Sequence, residues 1–453
     1  MSLYDALMIG VSGLDANSRA MSVFSSNIAN VNTVGYKTSQ SEFETMLGSA
    51  NGGAQGLATG VMASSQANIA QQGADFATSS PTDLAINGQG FFCVNTAADA
   101  TGQALFTRAG SFTPDANGDL KNTAGLYLMG YPISSDGTVG SQLGNISTNG
   151  LGGKGEATAN MSLEANLDAS DTAIPSTPGY QPGDMEDGTV TPQFQTTINV
   201  YDSQGGTQPL QVSYVKTAAN TWQYEVSYEG DPSNLSAPGS GGNPNNINNS
   251  TDANPIASGQ VTFGSDGQLL DVVPTGSTTD PQSGTFSLTI PWSSTSGLSS
   301  QTIAFDMGTV GATDGTSQFA SDSVLDSSNV DGAAFGSVTG LTVNPDGTVA
   351  ANYSNGLTQN VFRIPLATFP NPDGLSLVQG NAYAQSGSSG TPVINPADTA
   401  GSGTVQAYAL EGSTVDLATE FTNMITTQQA YSASARVVST ASQMLDELMQ
   451  IQH

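Results

Sequence analysis

Histidine occurs once, at His453, and cysteine once, at Cys93. A Ser-His or Cys-His nucleophile needs an imidazole held firmly beside it, and a single histidine at a frayed chain end cannot be held. The same shortage excludes a histidine–cysteine zinc site. Cys93 has no partner for an internal disulfide. It sits in the apolar run Gly90-Phe91-Phe92-Cys93-Val94, which predicts a buried, inert thiol. Gly88-Gln89-Gly90 lacks the later glycine of a dinucleotide fingerprint, and Gly153-Lys154 lacks both the upstream glycine and the following Ser/Thr of a phosphate loop. Asp115, Asn117 and Asp119 begin like a calcium loop, but Leu120 and Leu126 stand where glycine and glutamate are required, so a β-turn is the better reading. Paired carboxylates could serve a glycosidase-like site, yet no spacing among the 38 acids singles out a pair. The residues predict no catalytic centre, no metal and no cofactor.

The formal net charge is −30, from 38 acids against 8 bases. Phosphate recognition needs a basic stripe, so nucleic acid is excluded as a partner, and anionic membrane surfaces are disfavoured for the same reason. Most acids lie between Glu164 and Asp373, where they keep the middle of the molecule soluble by self-repulsion. No stretch is apolar enough to span a bilayer, and the N-terminus has neither the basic start nor the unbroken apolar run of a signal peptide. Composition alone suggests a cytosolic protein, unless export uses an uncleaved N-terminus.

What remains is a chain built to hold something together. Leu3, Leu7, Val11, Leu14, Met21, Phe24 and Ile28 step by three, four or seven residues. Leu417, Phe421, Met424, Tyr431, Ala435, Val438, Leu445 and Met449 do the same at the other end. Both series fit an apolar seam along one helix face. Ser2 with Asp5, and Ser413 with Asp416, supply capping patterns ahead of each seam. The first helix is expected over residues 3–30, about 40 Å long, and the last runs for about 35 residues, or about 50 Å. Gly10 and Gly13 weaken the first by about 1 kcal/mol each relative to alanine. Packing must hold both helices, and seams at both termini suit joining copies of the chain to one another.

Between the helices the sequence is rich in Gly, Ser, Thr and Asn and reads as β-structure. Asn87-Gly88, Asn117-Gly118, Asp266-Gly267 and Asp346-Gly347 lie between short apolar runs and predict hairpins. Residues 194–228 alternate through Ile198, Val200, Leu210, Val212, Tyr214, Trp222, Tyr224 and Val226. Residues 231–254 predict a long surface loop. The fold class is multidomain and mainly β, with N- and C-terminal α-helices and nested, discontinuous domains. Residues 1–35 and 405–453 form a coiled-coil-like helical polymerisation domain, and 36–80 an extended connector with room for a strand or hairpin. Residues 81–165 and 321–404 form a β-rich core, and 166–320 an outer acidic all-β domain, barrel-like or sandwich-like. An alternative of another class is a secreted adhesin or glycan-binding β-protein with Trp222, Trp292 and Tyr228 as a sugar platform, although core packing is the better use of them.

The stretch Asn27-Ile28-Ala29-Asn30-Val31-Asn32-Thr33-Val34-Gly35-Tyr36-Lys37 resembles the signature of the bacterial flagellar rod and hook family. Asp83-Leu84-Ala85-Ile86-Asn87-Gly88-Gln89-Gly90-Phe91-Phe92 and Thr107-Arg108-Ala109-Gly110-Ser111-Phe112 are similar to its core blocks. Leu410-Glu411 through Val415-Asp416-Leu417 to Gln429-Ala430-Tyr431 is similar to its C-terminal helix. Tyr201-Asp202-Ser203-Gln204-Gly205 with Trp222, and Leu366-Ala367-Thr368-Phe369-Pro370-Asn371-Pro372-Asp373-Gly374-Leu375, resemble the family's hook members. Residues 231–254 match nothing in it. The family's Ser-Asn-Val-Asp ahead of the last helix is Ser413-Thr414-Val415-Asp416 here, and threonine keeps the cap.

The resemblance implies a subunit that polymerises into a curved, flexible tube and transmits torque from rod to filament. Its partners are then itself, the flagellar rod, the hook cap and hook–filament junction proteins, and the type III export apparatus, which it leaves without cleavage. The alternative within the family is a distal rod protein, against which the insertion at 166–320 argues. Asn27, Asn30, Asn32, Gly35, Tyr36 and Lys37 are expected to turn the chain from the first helix into the β-core. The asparagines satisfy freed backbone groups and Gly35 permits the turn.

Overall fold

A computed structural model describes residues 3–47, 58–134, 136–175, 177, 179–236, 255–275 and 284–451. Most of the loop expected at 231–254 and the terminal His453 lie outside these residues. Two helices stand at the ends, α1 over Leu3–Ala29 and α2 over Leu417–Ile451, and strands dominate between them. The expected mainly β architecture with terminal helices is what the chain adopts. It divides into two compact units. One comprises Met1–Leu151, Thr339–Asn352 and Thr358–His453, and the other Gly152–Val338 and Tyr353–Leu357. The second unit is wider than the expected 166–320. Asn160–Asp168 belongs to one of its sheets, and Lys154–Glu156 pairs with Ala333–Gly336.

In the first unit the expected connector is a long antiparallel hairpin. Strand β1, Ser39–Leu47, pairs with β2, Ala58–Ala67. The main sheet places Phe91–Asn95 between Tyr127–Pro132 and Ala104–Thr107, and continues through Ala382–Ala384 to Ser376–Val378. Phe91 and Phe106 each meet the Phe369 ring edge-on, at 6.0 and 4.9 Å between centroids. Cys93 is buried in the same cluster, where burial pushes its thiol up to about 12. A thiol so protonated is inert.

The hairpin turns at Gly118, Gly267 and Gly347 form as the dipeptides predict, each glycine at positive φ. The hairpin expected about Asn87-Gly88 does not form. Gly88 and Gly90 both take positive φ, and the chain leaves one sheet for another. Leu84–Asn87 pairs instead with Thr404–Ala407, more than three hundred residues later in the chain. After Thr404–Ala407 the extended chain is broken at Tyr408, φ +57°. Beyond it Ala409–Glu411 pairs with Asp75–Ala77. These two short ladders clasp the end of the chain to its beginning.

The second unit packs two five-stranded sheets face to face. One is an antiparallel meander of Phe194–Tyr201, Thr207–Ala218, Thr221–Tyr228, Ala257–Phe263 and Leu269–Pro274. The other contains Thr285–Ile290, Gln301–Asp306, Asn160–Asp168, Ser317–Phe319 and Val324–Val330. Alternating side chains of both faces make one core around the fully buried Trp222, Tyr214 and Tyr224. Trp222 Nε1 donates to Gln318 Oε1 at 2.8 Å, and the Tyr228 and Trp292 rings meet edge-on at 5.5 Å. All three aromatics of the sugar-platform alternative are therefore core residues. The Glu225 carboxylate points away from that core and is buried all the same. It accepts hydrogen bonds from Tyr180 Oη and from the N–H groups of Gly183, Met185 and Glu186, fastening the preceding loop to the sheet.

Trp222→Ala is expected to destabilise the second unit by about 3–5 kcal/mol through transfer loss and cavity formation. Urea unfolding followed by Trp292 fluorescence measures it, and an unchanged midpoint contradicts this account of the core.

Candidate functional site

The two helices lie against each other antiparallel. Gly10 of α1 faces Val438 of α2, Gly13 faces Ser434, and Asn27 reaches Glu420 at the start of α2. A Cβ on Gly10 would stand 2.7 Å from Val438 Cγ2, and one on Gly13 would stand 3.0 Å from Ser434 Oγ. The buried positions of α1 are Gly10, Gly13, Ala16, Ala20 and Asn27, and those of α2 are Glu420, Thr427 and Ala441. Small side chains let the two backbones approach, and steps of three, four and seven keep them on one face. Gly10 and Gly13, which look like weak points of an isolated helix, are contact points of a pair.

Apart from Val438, which packs against Gly10, the expected seam therefore lies beside the helix–helix contact within one chain rather than in it. Leu7, Leu14, Met21, Phe24 and Ile28 are half-buried, as are Met424, Ala435, Val438 and Leu445. Val11, Leu417, Phe421, Tyr431 and Met449 are exposed, Phe421 at 50% and Met449 at 68%. The side chain of Leu3 lies outside the described residues. Sequence reasoning also missed Met8, Ile425, Val437 and Met444, all exposed. A heptad reading ranks positions by size. Here the large residues flank the stripe of small ones that brings the helices together. Part of the α1 surface is covered by the hairpin, where Val61 N–H donates to Ser12 Oγ at 3.2 Å and Gly60 leaves room for it.

The turn motif lies between α1 and the β-core. The Asn27 carboxamide acts as a surrogate peptide: Nδ2 donates to Ser39 O at 2.7 Å and Oδ1 accepts from Ser39 N–H at 3.1 Å. Tyr36 Oη donates to the same oxygen. Asn30 Nδ2 donates to Ser26 O, and Thr33 Oγ1 donates to Asn30 Oδ1. Asn32 is exposed. Gly35 takes φ +68°, and any Cβ there would lie 2.7 Å from Ala109 N, so both the turn and the close approach require glycine.

Lys37 leads into a buried ion cluster. Its Nζ donates to Glu411 Oε1 and to Gln71 O. Arg108 Nη1 reaches Glu411 Oε2 at 3.1 Å, and Nη2 donates to Gly88 O at 2.7 Å. Gly73 N–H completes the shell of Glu411 Oε1 at 2.8 Å, and Gly35 N–H donates to the Glu411 carbonyl. All three charged side chains are almost fully buried. Burial pulls the Lys37 ammonium below its ordinary range, against the attraction of Glu411. Beside this cluster, Thr38 N–H donates to Thr414 Oγ1 at 2.8 Å and Thr414 N–H donates to Tyr36 O. Thr414 thus fastens the two ends of the β-core together, and Asp416 caps α2 by accepting from Ala418 and Thr419 N–H.

Helices of opposite ends, tied through one core and carrying exposed apolar side chains, with no catalytic or metal-binding cluster among the described residues, describe a structural protein. Comparison with known proteins agrees. In chain order, residues 7–37 match the flagella basal body rod protein family, and 85–159 match the flagellar hook protein FlgE/F/G D1 domain. Residues 166–333 match the flagellar basal body protein FlaE D2 domain, and 406–451 the flagellar basal body rod FlgEFG protein C-terminal family. The chain is 34% identical to the flagellar hook protein FlgE of Rhizobium meliloti and 30% identical to that of Caulobacter vibrioides, each over the full length of both chains. It is 29% identical to the flagellar hook protein FlgE of Escherichia coli, over 97% of this chain and 98% of that one. The chain belongs to the flagellar hook protein family. It is a structural subunit of the flagellar hook, a motility organelle component, and the rod-protein and adhesin alternatives are not favoured.

Glu411→Gln strands two buried cations and is expected to destabilise the first unit by about 3–5 kcal/mol. Chemical denaturation measures the loss, and trypsin should cut after Lys37 in the variant while sparing the natural chain. Glu420 gives a pH prediction. Burial holds its carboxyl above the usual carboxylate range, opposed by a hydrogen bond from Asn27 and reinforced by Asp416. The unfolded chain then loses this proton first, so stability falls as pH rises from the unfolded value through the folded one. Glu420→Gln is expected to be the more stable form at neutral pH, with the difference fading in acid. Thermal melts across that range check the sign.

Proposed function

We propose that the exposed apolar faces of α1 and α2 are covered by other copies of the chain, and that this covering builds the hook as a tube. The carrying observation is the exposure of Val11, Leu417, Phe421, Tyr431 and Met449 on helices that meet through small residues such as Gly10, Gly13 and Ser434, with Val438 against Gly10. Each such side chain, once buried, gains about 1.5–3 kcal/mol. Ordering a residue costs about 1–2 kcal/mol, so neighbouring copies must supply most of the buried surface. The half-buried Leu7, Leu14, Met21, Phe24, Ile28, Met424, Ala435, Val438 and Leu445 complete the same seam.

In this reading residues 1–35 and 405–453 polymerise, the β-core spaces the subunits, and the outer β-domain meets its neighbours through polar, modest contacts. Contacts of that kind can slide, which lets the tube curve and bend while it transmits torque from rod to filament. The tube's ends meet the flagellar rod and the hook–filament junction proteins, and its growth proceeds beneath the hook cap. The subunit leaves the cell through the type III export apparatus with its N-terminus uncleaved. Disulfide-free chains with weakly helical ends suit such a passage.

Val11→Lys, Phe421→Lys and Tyr431→Lys each place a charge on an exposed position, so the monomer should keep its circular dichroism. The triple variant is expected to build no tubes in electron micrographs of material sheared from cells, and the cells to lose swimming. Normal tubes and normal swimming from the triple variant overturn the reading, as does assembly of a chain lacking residues 415–453.

A further inference from the structure

Asparagine followed by glycine is the pair most prone to spontaneous deamidation, because an unsubstituted glycine N–H can reach the asparagine side chain. The backbone nitrogen attacks Cγ, and whatever holds that N–H in a hydrogen bond, or holds the carboxamide in place, slows the reaction. The chain contains Asn51-Gly52, Asn87-Gly88, Asn117-Gly118, Asn149-Gly150 and Asn355-Gly356. The first lies outside the described residues.

The other pairs differ in how they are held. Asn87 ends a strand paired with Thr404, and Gly88 N–H donates to Gln72 Oε1 at 3.0 Å. Gly118 N–H donates to Asp115 O at 2.9 Å inside a tight hairpin. Asn355 is fixed on every side. Its Nδ2 donates to Lys154 O and Ala334 O, its Oδ1 accepts from Leu357 N–H, and Gly356 N–H donates to Tyr353 O. Asn149 has none of these restraints among the described residues. Asn149 and Gly150 are both exposed and lie in a turn outside any strand. Gly150 takes φ +86°, and the space about its Cα is open. Among the described residues the one hydrogen bond at the pair is from the Asn149 backbone N–H to Ser147 Oγ; Asn149 Cγ lies close over Gly118, but neither its carboxamide nor the Gly150 N–H is hydrogen-bonded.

We propose that Asn149 is a self-modification site of this protein and deamidates through Gly150 in the folded chain. The Gly150 nitrogen, having given its proton to solvent hydroxide, forms a bond to Asn149 Cγ. The Cγ–Nδ2 bond breaks as Nδ2 takes a proton from water, so that ammonia leaves and hydroxide is regenerated, giving a five-membered succinimide. Water then opens the ring at either carbonyl, yielding aspartate or isoaspartate. Each event adds one negative charge to a chain already at −30. The isoaspartate product also lengthens the backbone by one methylene just ahead of Gly152, where the second unit begins. The modification accumulates with the age of the subunit.

The test is peptide mapping by mass spectrometry on the intact purified chain, incubated at mildly alkaline pH and sampled over time. A parallel sample is kept unfolded in urea. In the folded sample the Asn149 peptide is expected to convert severalfold faster than those carrying Asn87, Asn117 or Asn355, with isoaspartate the larger product. In urea the rates should converge. Asn149→Gln should remove the fast component while leaving the circular dichroism unchanged. An intact Asn149 peptide, or equal rates for Asn149 and the other pairs in the folded chain, overturns the proposal. So does the same ratio of rates in urea, because protection by the fold would then play no part.

Discussion

The carboxylate of Glu411 is the point on which the first unit turns. It stands at the end of the last strand before α2, and it holds Lys37 from the end of the turn after α1 and Arg108 from the β-core. No element adjacent in sequence could make this junction. Taking three charges out of water costs several kcal/mol per ion, so the cluster is tolerable because each oxygen of Glu411 has its cation and the peptide groups of Gln71, Gly73 and Gly88 add hydrogen bonds, while Arg108 Nε has no hydrogen-bond partner among the described residues. Such a site gains little net stability over an apolar one. It does reject any arrangement in which residue 37 and residue 411 are not together, and so fixes where both helices leave the core.

Given that fixed origin, the helices need little affinity for each other. Their mutual contact is a narrow stripe mostly of glycine, alanine, serine and threonine, with Val438 set against Gly10, which sets distance and register while using few of the large apolar residues. A pair sealed by leucine and phenylalanine would be more stable alone and would have less to offer a neighbour. The division is between an ion cluster that positions, a small-residue stripe that aligns, and bulky side chains left exposed.

Much of this was legible in the residues. Both helices, the hairpins at Gly118, Gly267 and Gly347, the buried thiol of Cys93 and the aromatic core about Trp222 follow from local pattern, and so does the turn at Gly35. What escaped depends on distant partners. Leu84–Asn87 looks like half of a hairpin, yet its partner Thr404–Ala407 lies at the other end of the chain. The second unit reaches back to Gly152 because Asn160–Asp168 finds its neighbours in strands from 301 onward. In the helices, periodicity placed the residues on the correct elements but could not say which of two adjacent rows faces inward. Only the steric meeting of Gly10 with Val438 decides that.

The parallel pairing of Asn160–Asp168 with Gln301–Asp306 and Ser317–Phe319 has a consequence for how the polypeptide matures. A strand whose neighbours are the last parts of the unit to emerge must wait as an open edge, and an open edge is a template for mispairing. The meander from Phe194 to Pro274 can close on itself first, since each of its strands pairs with the next. Its apolar face then stays bare until the second sheet arrives. Slow, late closure of this kind keeps a chain threadable for longer, and it leaves any prematurely ended polypeptide prone to aggregate.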